Sequence, residues 1–195
     1  MASSKSKRPS HSQLRIIGGK WRGRKLTFTP VEGLRPTTDR IRETLFNWLS
    51  PAVSGARCAD LFSGSGALGL EALSRGASHC DFVDSAKVAI RQISGHLDTL
   101  GASGKGQCHS CPAKQYLDDS TEPLDIVFID PPFTKGLVEP ICQQLYNTGL
   151  LAPEALIYIE TPVEEALTNL PNNWSLHREK QAGAVAYRLF RTPTV

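Results

Sequence analysis

Five short apolar runs, Cys58–Phe62, Cys80–Asp84, Gly106–Ser110, Leu124–Asp130 and Ala155–Thr161, are separated by segments in which apolar residues recur at helical spacing. Apolar runs of this length, bounded by turn residues, read as strands buried on both faces. Helical segments between them require parallel crossovers. The helical patterns are Gly66–Gly76, Ser85–Gly101 and Leu137–Gly149, with a short turn at Pro112–Leu117. The end of the chain departs from this alternation. Residues 174–191 read as two consecutive strands turning at Ala182-Gly183, an antiparallel hairpin. The expected fold is α/β: a mostly parallel, Rossmann-like sheet closed by an antiparallel hairpin. A length of 195 residues suits one such core with a small extension.

The turn after the first of these strands is rich in glycine. In DLFSGSGALGLEAL (Asp60–Leu73), Gly64, Gly66 and Gly69 form a G-x-G-x-x-G between strand and helix, with Phe62 in the same loop. Such a loop lets backbone approach a ligand closely and exposes helix N–H groups. Asp84 ends the next strand about 20 residues on, where a ribose-binding acid belongs. The pattern fits a ribose-containing cofactor, either a dinucleotide or adenosyl-methionine. The second reading also uses Asp60, placed to take the ammonium of a methionine moiety.

FIDPPF (Phe128–Phe133) ends a core strand with an acid, two prolines and a ring. Proline cannot continue a ladder. The turn therefore presents Asp130 and the Pro131 carbonyl as two acceptors, with Pro132 fixing the backbone and Phe133 offering a stacking face. A ligand crevice opens at the carboxyl end of such a strand. Two acceptors beside a ring suit a planar base with an exocyclic amine, whose lone pair they can orient toward a sulfonium methyl.

The first 42 residues hold 11 Lys and Arg against Glu32 and Asp39, whereas the remainder holds 11 against 17 acids. A segregated basic head points to a polyanion partner. Leu14–Phe28 reads as a hairpin in which Arg15, Lys20, Arg22, Arg24 and Lys25 interleave with Trp21, suited to phosphates and a stacking surface. Thr37 or Thr38 caps a following helix that carries Arg40 and Arg42 and has Ile41, Leu45, Trp48 and Leu49 on one face, with Arg35 just before it. Residues 1–13 have no apolar h-region and read as a disordered basic tail, a composition a transit peptide shares. No apolar run approaches membrane-spanning length. Five cysteines, two of them in core strands, fit a reducing compartment; Cys108 and Cys111 lack the second pair a metal site needs. The divisions expected are a tail at 1–13, a nucleic-acid-binding hairpin and helix at 14–50, and the Rossmann-like domain at 51–195.

DLFSGSGALGLEAL, FVD and DPPF resemble motifs of class I adenosyl-methionine methyltransferases that modify exocyclic amines. RIIGGKWRGRKL, LRPTTDRIRETLFNWL and NWSLHREKQAGAVAYRLF are similar to the RsmD-type family, the bacterial 16S rRNA guanine-N2 methyltransferases, over about residues 14–191. The resemblance implies a seven-stranded sheet with the last strand antiparallel, S-adenosyl-L-methionine as cofactor, 16S rRNA within a small-subunit particle as partner, and a monomeric, cytoplasmic enzyme. It maps cofactor binding to Gly64, Gly66, Gly69 and Asp84, and amine binding to Asp130, Pro131, Pro132 and Phe133. The adenine-reading Asp or Asn usual after the third core strand is absent from HSCPAK. An adenine-N6 enzyme shares DPPF and a nicotinamide oxidoreductase shares the glycine loop; both stand as alternatives.

Overall fold

The structure is a computed structural model that describes residues 12–29, 38–133 and 136–194. The tail at 1–11 and Arg35 lie outside these residues, as does Thr37. Strands β1 (Ser12–Arg15) and β2 (Lys25–Phe28) pair antiparallel as a separate ribbon. Helix α1 (Asp39–Leu49) follows, its Ile41 N–H donating to Thr38 Oγ1 at 3.3 Å. Thr38 is thus the cap that satisfies one of the first-turn donors.

The main sheet has the order β5-β4-β3-β6-β7-β9-β8. Its strands are β3 (Arg57–Asp60), β4 (His79–Val83), β5 (Gly106–His109), β6 (Leu124–Ile129), β7 (Leu151–Pro162), β8 (Ser175–Ala182) and β9 (Val185–Arg191). The first five run parallel, and β9 is antiparallel to both β7 and β8. The terminal hairpin turns between Ala182 and Val185, as its glycine suggested. Helices α2 (Ala67–Ser74), α3 (Lys87–Thr99), α4 (Ala113–Asp119) and α5 (Val138–Thr148) make the crossovers.

Alternation along the strands divides the core. Cys58, Cys80, Phe82, Ile126, Phe128 and Tyr158 pack against α1, α2 and α3; Ala59, Val83, Val127, Ile129, Ile157 and Ile159 pack under α4 and α5. The chain leaves β3 toward β4 and β5, then returns to β6 on the other side. The carboxyl ends of β3 and β6 therefore border the crevice where ligands bind in such sheets.

Two local expectations are corrected. Pro112–Leu117 is no mere turn: Ala113–Asp119 is helical, with Ala113, Tyr116 and Leu117 buried. Gln144 of α5 donates to Lys114 O and Asp118 Oδ1. One repeat of helical spacing is too short to stand out in sequence, and packing on α5 decides it. Trp21 is 7% exposed and belongs to the core, so it offers no stacking face to a base.

Candidate functional site

Three carboxylates stand at the carboxyl ends of β3, β4 and β6. Asp60 ends β3 with 2% exposure. Its Oδ2 accepts from the Gly69 N–H at 3.1 Å, in the first turn of α2, and its carboxylate also accepts from the Phe62 N–H. Asp60 thereby holds the glycine loop in shape from beneath. Burial, reinforced by the charge of Asp84 and opposed by the two N–H donors, pushes its carboxyl up to about 7 from the usual 3.8. Between those values the native state keeps a proton that the unfolded state has lost. The stabilisation is full below the unfolded value and disappears as pH rises through about 7. Stability of the ligand-free protein is therefore expected to fall by up to about 4 kcal/mol from this group between pH 4 and 8. Urea unfolding across that range checks it, and Asp60→Asn should flatten the profile.

The loop itself runs through left-handed backbone at Gly64 and Gly66 (φ +50° and +80°), Gly66 being the N-cap of α2. Gly69 is required for a different reason. A Cβ there would lie 2.3 Å from the Phe82 ring and 2.8 Å from Cys80 Sγ, so this glycine lets α2 pack onto β4. Of the three glycines, two shape the ligand-facing turn and the third sets the helix–sheet distance. Phe62 is half-buried against the α4–α5 side of the core.

Asp84 follows β4. Its Oδ2 accepts from the Gly64 N–H at 2.9 Å and its Oδ1 from the Ala86 N–H at 2.8 Å, so it joins the glycine loop to the start of α3. A half-exposed carboxylate with about four lone-pair sites retains acceptor capacity for a diol. After β5, Ser110 and Pro112 are exposed and Cys111 is half-buried against the core, so HSCPAK supplies no carboxylate at this edge.

Asp130 is half-buried just past β6, Pro131 is buried, and Phe133 packs against the edge of the core that includes Phe128 and Tyr158. β6 and β7 are in register at Phe128↔Tyr158 and Ile129↔Ile159. One step further along each strand come Asp130 and Glu160. Glu160 is 3% exposed, and its Oε1 accepts from the Tyr158 hydroxyl at 2.7 Å. This second carboxylate was not singled out in sequence; the acid ending the apolar run ALIYIE was its only signal.

The basic residues of the head are not gathered at the crevice. Arg15 is bound to Asp39 (2.9 Å) beside the α1 N-terminus, where Arg40 is exposed. Lys20, Arg22, Arg24 and Lys25 are exposed at the far end of the ribbon, where Arg24 Nη2 reaches Thr99 O at the end of α3. α3 begins beside Asp84 and has 13 residues, so the ribbon tip lies about 20 Å along it from the Asp84 end. Arg42 belongs to neither group. It is 1% exposed and pairs with Asp39 (2.6 Å) and Glu71 (3.6 Å).

The ribbon is docked through α2. Buried Glu71 accepts from the Ile17 and Gly18 N–H groups at 2.9 and 2.8 Å and from Arg75 Nε at 2.8 Å. The Trp21 N–H donates to Ser74 Oγ, which donates to Gly18 O. At Gly19 (φ +74°) a Cβ would meet Ser74 O at 1.9 Å, so the IIGG stretch serves close backbone docking.

Comparison with known proteins bears on this arrangement. The family model described as Conserved hypothetical protein 95 matches residues 14–191. The chain is 52% identical over 188 residues to the ribosomal RNA small subunit methyltransferase D of Escherichia coli, covering 95% of this chain and 94% of that one. The chain is a member of the RsmD-type methyltransferase family. The methyltransferase D of Haemophilus influenzae is 44% identical, over 92% of this chain and 94% of its own. Among solved structures, a putative methyltransferase of E. coli superposes with TM-score 0.86 at 51% identity, covering 94% of this chain and all of that one. A more distant putative methyltransferase, solved in complex with SAH, shares the fold at TM-score 0.73 and 15% identity, over 96% of this chain and 57% of its own. The seven-stranded, mostly parallel sheet of this chain is thus that of an RsmD-type methyltransferase.

Proposed function

We propose that this family member transfers a methyl group from S-adenosyl-L-methionine to the exocyclic N2 amine of a guanine in 16S rRNA of the small subunit. The observation that carries the reading is the alignment of Asp60, Asp84 and Asp130 at the carboxyl ends of β3, β4 and β6, around the switch point of the sheet. The relatives act on small-subunit rRNA by name, and the basic head of this chain suits the same polyanion.

The residues present fit the cofactor. The Asp84 carboxylate suits a ribose diol, the left-handed turns at Gly64 and Gly66 expose backbone to a ligand, and Asp60 lies beneath the loop, where a cationic methionine moiety would favour its ionised form. When bound, S-adenosyl-L-methionine supplies a methyl group activated by a positively charged sulfur. The chain's own part is positioning, which removes up to about 7–11 kcal/mol of barrier in favourable systems. Asp130 and the Pro131 carbonyl accept from the amine and turn its lone pair toward attack. The nitrogen gains the methyl and becomes strongly acidic, and Asp130 takes the released proton. Phe133 supports the base, which must leave any helix to reach the pocket.

Asp84→Ala is expected to weaken S-adenosyl-L-methionine binding about 10- to 100-fold, the worth of charged hydrogen bonds to the ribose. Calorimetry reads this directly; unchanged affinity, or binding of NADH in its place, overturns the cofactor assignment. Mapping of methylated nucleosides in rRNA from a deletion strain, before and after treatment with the purified protein, tests the target base.

Residues 14–50 are the part that grips RNA in this reading. Replacing Arg22, Arg24 and Lys25 with Ala should weaken binding of the small-subunit particle and lower the salt slope of log affinity by about 2 to 3. Titrations at several salt concentrations measure it. An unchanged slope places the RNA elsewhere.

A further inference from the structure

Asp130 is joined in the crevice by a second carboxylate, and the pair has a chemical meaning that one acid does not. The in-register pairs Phe128↔Tyr158 and Ile129↔Ile159 carry β6 and β7 side by side to Asp130 and Glu160. Adjacent strands are about 4.8 Å apart, so acidic side chains one strand over from each other can reach the same base. Side chains two apart on a strand share a face, so Glu160 lies on the face of Tyr158, and it stands opposite Tyr187 of β9. Tyr158 is fully buried and donates to Glu160 Oε1 at 2.7 Å. Burial, then the charges of Glu160 and Asp130, hold this phenol well above its usual range, so it remains a donor and fixes the carboxylate's rotamer. Glu160 is buried two residues before the end of β7, beside the end of β6 that borders the crevice, an expensive place for an acid whose only task is packing.

We infer that Glu160, oriented by Tyr158, is the specificity-determining residue that accepts the N1–H of the target guanine while Asp130 holds its N2 amine. This rests on the guanine-N2 reading above. The Watson–Crick edge of guanine presents N1–H and the N2 amine side by side, both donors, and two neighbouring carboxylates complement them. Adenine places the lone pair of N1 next to its amine, so a carboxylate at Glu160 faces an acceptor and repels it. DPPF alone orients an exocyclic amine on either purine. The acid on the next strand distinguishes them.

The test compares guanine with 2-aminopurine at the target position of a ligated small-subunit rRNA assembled into particles. The analogue keeps the N2 amine, replaces N1–H with a lone pair and carries hydrogen in place of O6, so the variants of Glu160 and Tyr158 are what isolate the contact to N1. Wild type is expected to favour guanine in kcat/KM by about 10- to 100-fold, the discrimination a well-made polar contact to a base edge provides. Glu160→Gln, whose carbonyl oxygen stays on the Tyr158 hydroxyl so that its NH2 faces the base and can donate to the analogue's N1, should lose most of its activity on guanine and bring the ratio close to one, with S-adenosyl-L-methionine affinity unchanged by calorimetry. Tyr158→Phe, which leaves the acid in place without its hydroxyl partner, should move the ratio the same way by less. Equal losses on both bases in both variants, with the ratio preserved, make Glu160 a structural acid and overturn the inference. A wild-type enzyme that methylates guanine N2 but does not discriminate overturns it too. Product found on another base or atom overturns the guanine reading itself, and this inference with it.

Discussion

Asp130→Ala should lower the methyl-transfer rate about 10²- to 10³-fold while leaving S-adenosyl-L-methionine affinity within about twofold. That magnitude is what removing one preorganised group at a reacting centre costs in acyl-transfer enzymes. The split between rate and binding follows from position. The groups assigned to the cofactor, Gly64, Gly66 and Asp84, belong to β3, β4 and the loops after them, whereas Asp130 follows β6 on the other side of the switch point. An interaction made chiefly with the reacting amine matters most in the transition state and little to cofactor binding. Asp130→Asn should fall between, because its amide oxygen still accepts one N–H but takes up no proton. Single-turnover rates and calorimetry on the same preparations check both halves. A variant that transfers methyl at the wild-type rate removes Asp130 from the amine-binding assignment.

Glu71→Ala should destabilise the protein by about 3–5 kcal/mol, the usual consequence of leaving a buried partner charge uncompensated. Glu71 is 0% exposed and serves four groups at once: the Ile17 and Gly18 N–H groups, Arg75 Nε and the buried Arg42 guanidinium. Its loss strands two backbone donors and removes one of the two carboxylates that face the buried Arg42 guanidinium, Asp39 being the other. For a chain of this size each kcal/mol moves Tm by about 2–4 °C, so a fall of about 10 °C is expected in a thermal unfolding scan. Glu71→Gln keeps the shape and one acceptor and should lose less. The basic ribbon is fastened through the same residue, so Glu71→Ala should also weaken RNA binding without removing a single exposed charge. An unchanged Tm means that the ribbon's apolar contacts, through Leu14, Ile16, Trp21 and Leu26, suffice to hold it.

The parallel strands, their crossover helices and the terminal hairpin were legible in the chain because each depends on local periodicity and turn chemistry. Apolar runs of five to seven residues, glycines at a strand–helix turn and Pro-Pro after an acid carry their meaning within a few neighbours. Helix α4 reads as a turn in sequence because one repeat of helical spacing carries too little signal without the face of α5 beside it. Polar residues were harder to place. Arg42 and Trp21 read as part of a basic, RNA-facing surface, yet both are buried, because α1 and the ribbon close over α2. Glu71 looked like any helical glutamate, and Glu160 like the end of a strand. A sequence shows that a residue is charged, but its role depends on which charge or donor the fold brings to it, and for Glu71 such a partner lies 54 positions away. The distance of about 20 Å between the ribbon tip and Asp84 has the same origin, since it is set by the antiparallel course of β2 along α3 from Arg24 at Thr99 to Thr29 at Gln92. The sequence determined the sheet, the glycine loop and the DPPF turn through short-range rules. Tertiary packing alone decided which acids pair with which cations, and which carboxylates stand together at the crevice.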